Sequence, residues 1–504
     1  MRRERERRPQ VLREGTLLSS GGVAPGDGPL RDIVSRLAVS YPEALAIQTL
    51  DGSTVTFSDL AARADQIAAE IPAGARRVAV AMGNDIDSAA RLAAVWSTGA
   101  SAVLLSALLP DREAERRVRE SHSDAVVGRP GISASLAPGE SPADDDEALV
   151  VFTSGTTGRP KGAVLSFGAL SRSLLGIARG SGLPAAGRAP TVPPRKATPL
   201  FTPMSHMGGI LSLLSAWYIG KPPLIVPKFD ARVALSLVDD FGINVLKLTP
   251  AMVYDLAHWP EERGLGGVRS VTVGTAPVAD ATRELFEQRY GVPVLRNYGQ
   301  TEFSGAIAFE RIADVRAGRR PQGTTGRIAP GVDVRITDPD DNDLPAGEAG
   351  EIVARGGGSM TGYLGPDGRP VPPGPGGWLR TGDLGVIDAD GFLSVLGRVR
   401  EMILCGGFNV YPAVVEAAMN RLPGIIDSAV AGAPDPRLGE VPVAVLVATG
   451  EPPSLDEVRT ALRAELAPYE IPRRMVFDAA LPRTENGKID RPGVVRLVDA
   501  RLAR

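Results

Sequence analysis

Ten residues of this chain carry an unusual density of groups that could hold a phosphate: Thr153, Ser154, Gly155, Thr156, Thr157, Gly158, Arg159, Pro160, Lys161 and Gly162. Glycines let backbone N–H groups approach an anion, hydroxyls donate to its oxygens, and the Lys161 ammonium adds charge. The stretch follows an apolar run, Ala148, Leu149, Val150, Val151 and Phe152, which reads as a buried strand. A strand would therefore deliver this loop to the edge of a sheet. The pattern G-x-x-x-x-G-K-[ST] cannot be fitted to it, so it is not a Walker A loop. Standing alone, it could also be a Gly/Ser/Thr-rich surface turn.

It does not stand alone. Asn297, Tyr298, Gly299, Gln300, Thr301 and Glu302 follow another expected strand. A carboxylate beside a phosphate site calls for a cation between them, which makes Glu302 a candidate Mg²⁺ ligand. In the segment Gly377 to Gly385, Asp383 could accept both hydroxyls of a ribose diol, and Arg398 follows fifteen residues later. Gly406 and Gly407 allow close backbone approach, and Cys405 beside them has no neighbouring base to activate it. Lys488 lies in the run Pro482 to Arg491. It is one of only six lysines among 56 basic residues, a bias that makes each remaining point charge worth attention.

These motifs, in this order from residue 153 to 491, resemble those of the adenylate-forming enzymes: acyl-CoA synthetases, peptide-synthetase adenylation domains and luciferases. The resemblance implies ATP and Mg²⁺ as cofactors, with residues 153–161 on the phosphates. It gives Glu302 the metal, Thr301 a hydrogen bond to the α-phosphate, and Tyr298 packing against adenine, with Asn297 and Gly299 beside it. Asp383 and Arg398 would hold the ribose, and Gly274, Thr275 and Ala276 would lie along adenine and acyl group. Lys488 would bridge the substrate carboxylate and the α-phosphate. Arg400 falls where the family places its domain hinge, usually Asp or Lys. Gly406 and Gly407 would border a thiol channel for CoA.

The acyl pocket is implied by the same resemblance. His206 would close the carboxylate end, and Met207 and Gly208 would follow it into the pocket. Amino-acid-activating relatives place an Asp here for the α-ammonium; Ser205 and His206 supply none, which argues against an α-amino acid. Lys247 lies on a strand that in aryl-CoA ligases carries apolar side chains. A buried ammonium is costly unless paired. Lys247 is expected either to meet a polar or anionic group of the substrate or to form a salt bridge on the other face of its strand.

Composition sets the bounds. A chain of 504 residues should hold more than one domain. With 43% hydrophobic and 23% charged residues and a net charge of −3, nothing suggests nucleic acid as a partner. A single cysteine fits a reducing compartment, no signal peptide is apparent, and the apolar run 207–219 is too short to span a membrane. The expectation is a cytoplasmic enzyme, a monomer or homodimer.

The expected fold class is α/β. Residues 1–28 read as a flexible N-terminus, and 29–397 as a large N-terminal domain of layered α/β structure with a small β subdomain. A hinge is expected over 398–402 and a mobile C-terminal α+β domain over 403–504. Strands are expected at 76–82, 243–248, 268–273 and 292–296, and loops at 129–147, 179–198 and 365–377. The expected activity is ATP-dependent adenylation of a small-molecule carboxylic acid, aromatic or medium acyl, followed by transfer to CoA. Alternatives are loading of a carrier protein's phosphopantetheine, or adenylation of another oxyanion such as nitrite to diazotise an aryl amine. A non-catalytic nucleotide-binding scaffold is the rival outside enzymology.

Overall fold

Runs of small and β-branched apolar residues make the buried strands of this protein. Arg77–Met82 and Ser101–Ser106 pair in parallel, with Ala125–Val127 on the other side of the first. All six residues of Arg77–Met82 are buried, as a strand covered on both faces requires. Arg77 is buried because it is paired: its Nε and Nη2 donate to the Glu147 carboxylate at 2.7 and 2.6 Å, and Nη1 donates to the Ser121 carbonyl. That bidentate geometry satisfies the desolvated charges. The computed structural model describes residues 30–153, 160–180, 187–191, 196–483 and 489–503.

Two compact units emerge from the contacts. The first gathers described residues of Met1–Val150, Gly182–Pro227 and Phe241–Ile243; the second gathers those of Val151–Ser181, Lys228–Asp240 and Asn244–Arg504. Besides the parallel strands above, the first unit contains a four-stranded sheet in the order Thr54–Thr56, Leu45–Thr49, Pro223–Ile225, Thr198–Leu200. The apolar run 207–219 forms the helix Met207–Tyr218, whose Trp217 is buried and donates its indole N–H to the Ala46 carbonyl at 2.9 Å.

In the second unit a nine-stranded sheet begins with three parallel strands, Val245–Leu248, Ser270–Val273 and Val294–Gln300. It turns antiparallel at Gly305–Phe309 and continues through Gly326–Ile328, Phe392–Arg398, Leu379–Ile387, Gly350–Gly356 and Val332–Thr337. Lys161–Ser166 pairs antiparallel with Gly362–Leu364, and that strand pairs with Pro370–Val371. After the 3₁₀ turn Val399–Glu401 comes an α+β region. Its strands Ile425–Asp435 and Gly439–Ala448 form a long hairpin, Arg474–Phe477 adds in parallel, and two apolar clusters cover the sheet.

The expected strands are present with shifted ends: 243–248 starts two residues later, 268–273 is Ser270–Val273, and 292–296 is Val294–Gln300. The loop at 365–377 holds the short strand Pro370–Val371 and a 3₁₀ turn at Pro375–Gly377, because the prolines sit at an edge where no N–H is needed. Residues 1–28 and much of the loop 179–198 lie outside the described residues. Among the described residues no helix is long and apolar enough to cross a membrane.

Candidate active site

The strand Val294–Gln300 belongs to two kinds of sheet. Through Arg296 it runs parallel to Ser270–Val273; from Asn297 to Gln300 it pairs antiparallel with Gly305–Phe309. The switch is tight. A Cβ on Gly299 would lie 2.0 Å from the Gly305 carbonyl oxygen, so only glycine lets the two backbones approach. The 3₁₀ turn Thr301–Phe303 and the left-handed Ser304, at φ 50°, close the connection. That turn presents Glu302.

Thr153, the last residue of the strand Glu147–Thr153, donates its hydroxyl to Glu302 Oε1 at 3.2 Å. Tyr363 donates to the same oxygen at 2.7 Å, and the Glu302 carbonyl accepts from the Met360 N–H at 2.7 Å. Lys161 Nζ lies 5.4 Å from the centre of the Tyr363 ring. The carboxylate thus sits at the end of the strand that leads into residues 154–159. Burial and the neighbouring Glu302 charge push the Tyr363 phenol up, so it stays a donor. Both hydroxyls fall on Oε1; no described residue is found on Oε2. A carboxylate with one oxygen left open suits Mg²⁺, which takes one or two carboxylates and fills its shell with phosphate oxygens and water.

A second carboxylate stands nearby on the strand Leu379–Ile387. Asp383 is 5% exposed. Its Oδ2 accepts from Tyr298 at 2.7 Å and from the Gln300 amide at 2.6 Å; its Oδ1 meets Arg398 Nε at 2.9 Å. Asp383 and Arg398 are direct cross-strand partners. Burial raises the Asp383 pKa, while Arg398, Tyr298 and Gln300 pull it back. Burial and the Asp383 charge hold Tyr298 protonated. The result is an acceptor fixed in direction, with a guanidinium beside it.

The strand Ser270–Val273 delivers Gly274, Thr275 and Ala276 at its carboxyl end. Gly274 packs against Asn297, and Thr275 adopts φ 74°, a strained conformation for a β-branched residue. Gly406 and Gly407, at φ 61° and 88°, form the turn between Ile403–Cys405 and Phe408–Val410. Phe408 stacks on Tyr469 at 4.5 Å. Cys405 is buried. Arg400 lies in the 3₁₀ turn Val399–Glu401.

His206, Met207 and Gly208 belong to the first unit, at the start of the helix Met207–Tyr218. Burial, then the Arg117 charge, lowers the His206 pKa, so the ring is neutral near pH 7. Lys247, on Val245–Leu248, forms no ion pair with a described residue, and burial pulls its pKa from 10.5 to about 8. Ser154, Gly155, Thr156, Thr157, Gly158 and Lys488 lie outside the described residues.

Thr153, Lys161 and Glu302 are therefore brought together, and so are Tyr298, Asp383 and Arg398. Tyr298 takes part through its hydroxyl on Asp383, a contact the adenine-packing expectation did not contain. Tyr363 escaped sequence reasoning, since nothing 61 residues beyond Glu302 flags it; only the pairing of its strand with Lys161–Ser166 brings it in. Gln300 sits inside a recognised motif and could have been found there.

Comparison with known proteins follows this geometry. A family model described as AMP-binding enzyme matches residues 34–138 and 130–364, and one described as AMP-binding enzyme C-terminal domain matches 414–488. An indoleacetate–CoA ligase of Aromatoleum aromaticum is 34% identical over 74% of this chain and 71% of its own length. A feruloyl-CoA synthase of an Amycolatopsis species is 32% identical over 90% of this chain and 96% of its own. The ATP-bound structure of MatB from Rhodopseudomonas palustris superposes with a TM-score of 0.79 at 26% identity, covering 93% of this chain and 98% of that one.

Proposed function

Because the chain belongs to the AMP-binding enzyme family and is an ATP-dependent adenylate-forming ligase, we propose that it activates an aromatic carboxylic acid and passes the acyl group to CoA. The observation that carries this reading is the pair of oriented carboxylates, Glu302 and Asp383, reached from the two strands that leave the parallel sheet and its antiparallel extension. The aryl acids named for the two CoA-forming relatives support the substrate class.

In the first step a substrate carboxylate oxygen bonds to the α-phosphorus of ATP as the bond to the β-phosphate oxygen breaks, and pyrophosphate leaves. Thr153 and Tyr363 both donate to Oε1 of Glu302, leaving the other oxygen as the one that would meet Mg²⁺. Mg²⁺ held there would neutralise phosphate charge. Asp383 accepts the ribose hydroxyls, held in place by Tyr298, Gln300 and Arg398. Lys161 contributes charge at the mouth of the phosphate loop, and Thr301 a hydroxyl. Lys488 is assigned to the α-phosphate and the attacking carboxylate, where an ammonium favours the charge-laden transition state over the ground state. His206, neutral near pH 7, is assigned to the carboxylate end of the substrate by the family resemblance.

In the second step the CoA thiol gives its proton to solvent, its sulfur bonds to the acyl carbon, and the bond from that carbon to the AMP phosphate oxygen breaks, releasing AMP. The region after Arg400 rotates between the steps, withdrawing Lys488 and presenting the Gly406–Gly407 turn.

Glu302→Gln tests the assignment. Pyrophosphate release in the first half-reaction should fall roughly 10²–10³-fold, while thermal stability stays close to the parent. An unchanged rate at saturating Mg²⁺ would remove Glu302 from the chemistry.

A further inference from the structure

Lys247 is a cation without a described partner, placed near the carboxyl end of a run of parallel strands. It stands one residue before the carboxyl end of Val245–Leu248 and is in register with Thr272, which is in register with Leu295. Residues two apart on a strand share a face, so Lys247, Thr272, Gly274 and Asn297 lie on one side. The other side carries Leu246, Leu248, Val271 and Val273, all buried, and Arg296, which pairs with Asp280. Lys247, Thr272, Gly274 and Asn297 are all only partly covered, so this face remains within reach of a ligand. In open α/β sheets ligands settle at the carboxyl ends of parallel strands. Gly274, lacking a side chain, leaves room in the same row, and strained Thr275 follows it.

A half-buried ammonium with no partner among the described residues is poorly solvated, and such a group is retained where its partner arrives from outside. The salt bridge that would have made Lys247 structural is not found among the described residues. We propose that Lys247 is a specificity-determining residue that selects acids bearing a second anionic group, receiving that group on the Thr272–Gly274–Asn297 face. The proposal rests on the acid-activating reading given above. It narrows the substrate class: an aryl acid whose far end carries a carboxylate or sulfonate, held by the ammonium while the first carboxylate is adenylated.

The test uses the full chain with matched acids: benzene dicarboxylic acids and sulfobenzoic acids against the monomethyl esters of the dicarboxylic acids. Two readouts are taken for the parent, Lys247→Met and Lys247→Arg: kcat/KM for acid-dependent pyrophosphate release, and calorimetric binding of each acid to the enzyme. The parent should favour the doubly anionic member. In Lys247→Met the ratio of doubly to singly anionic acid should fall roughly 10²-fold, mainly through KM, with Lys247→Arg restoring part of it. A ratio that does not move in Lys247→Met, with the variant folded by its thermal transition, overturns the proposal. Lys247-dependent binding of diacids without any pyrophosphate release would instead keep the selectivity and remove the adenylation reading. Turnover of esters and diacids alike by the parent would keep adenylation and remove the selectivity.

Discussion

Glu302 and Asp383 are both carboxylates, and what surrounds each decides its work. Glu302 receives two hydroxyls on a single oxygen and offers the other. Asp383 has both oxygens engaged, by Tyr298 and Gln300 on one side and Arg398 on the other, so the diol that the proposed function assigns to it would share an acceptor already fixed in direction. Lys247 is the third charge of interest and the least comfortable. Its pKa in the folded chain is about 8, below the ordinary 10.5, so between these values the unfolded chain binds the extra proton. Stability therefore rises with pH across that window, and the full cost of the half-buried charge is felt below pH 8. Lys247→Met should stabilise the protein at pH 7 by roughly 1–3 kcal/mol, the advantage shrinking as pH climbs from 8 to 10.5. Denaturant unfolding at pH 7 and pH 10 reads the gain and its decline. A variant less stable than the parent at pH 7 would mean that Lys247 is paired in the folded state.

At the scale of elements, the site depends on how one strand changes sheets. Val294–Gln300 leaves its parallel neighbour and pairs antiparallel with Gly305–Phe309, and Gly299 permits the close pass. Gly299→Ala should force those backbones apart, lower the melting temperature by several degrees and weaken ATP binding, because Glu302 and Tyr298 flank the displaced segment. Wild-type ATP affinity in a folded Gly299→Ala protein would show that the turn is not what positions Glu302. The strands themselves were legible: apolar runs at 148–152 and 243–248 announced them, and the glycines and carboxylates in the loops that follow announced the chemistry. Strand ends were not, since propensity does not say where pairing stops. Nor was Tyr363 legible, because its role comes from an antiparallel pairing with Lys161–Ser166 that no local pattern encodes. The buried Arg77–Glu147 pair was equally silent, two ordinary charges made structural only by where the strands place them.

For the whole molecule, the proposed function has two reactions share one nucleotide site, with the C-terminal region serving both. Arg491, three residues after Lys488, ties that region to the 3₁₀ turn carrying Arg400: it meets Glu401 at 3.3 Å and Glu416, and donates to the Val430 carbonyl. Family motifs spread from 153 to 491 made the adenylation reading visible from sequence, whereas Lys247 could be read there two ways, toward an anionic group of the substrate or toward a salt bridge, and only its sheet face and the lack of an ion pair among the described residues favour the first. The central claim is that ATP is cleaved to AMP and pyrophosphate by an acid, and that CoA then takes the acyl group. Pyrophosphate release from ATP, measured across a panel of aryl acids with and without CoA, tests it most directly. Acid-dependent release that becomes multiple-turnover with CoA, yielding AMP and a thioester, is the predicted result. Release that requires nitrite and an aryl amine, or an acyl-adenylate that persists unchanged when CoA is added, would contradict it.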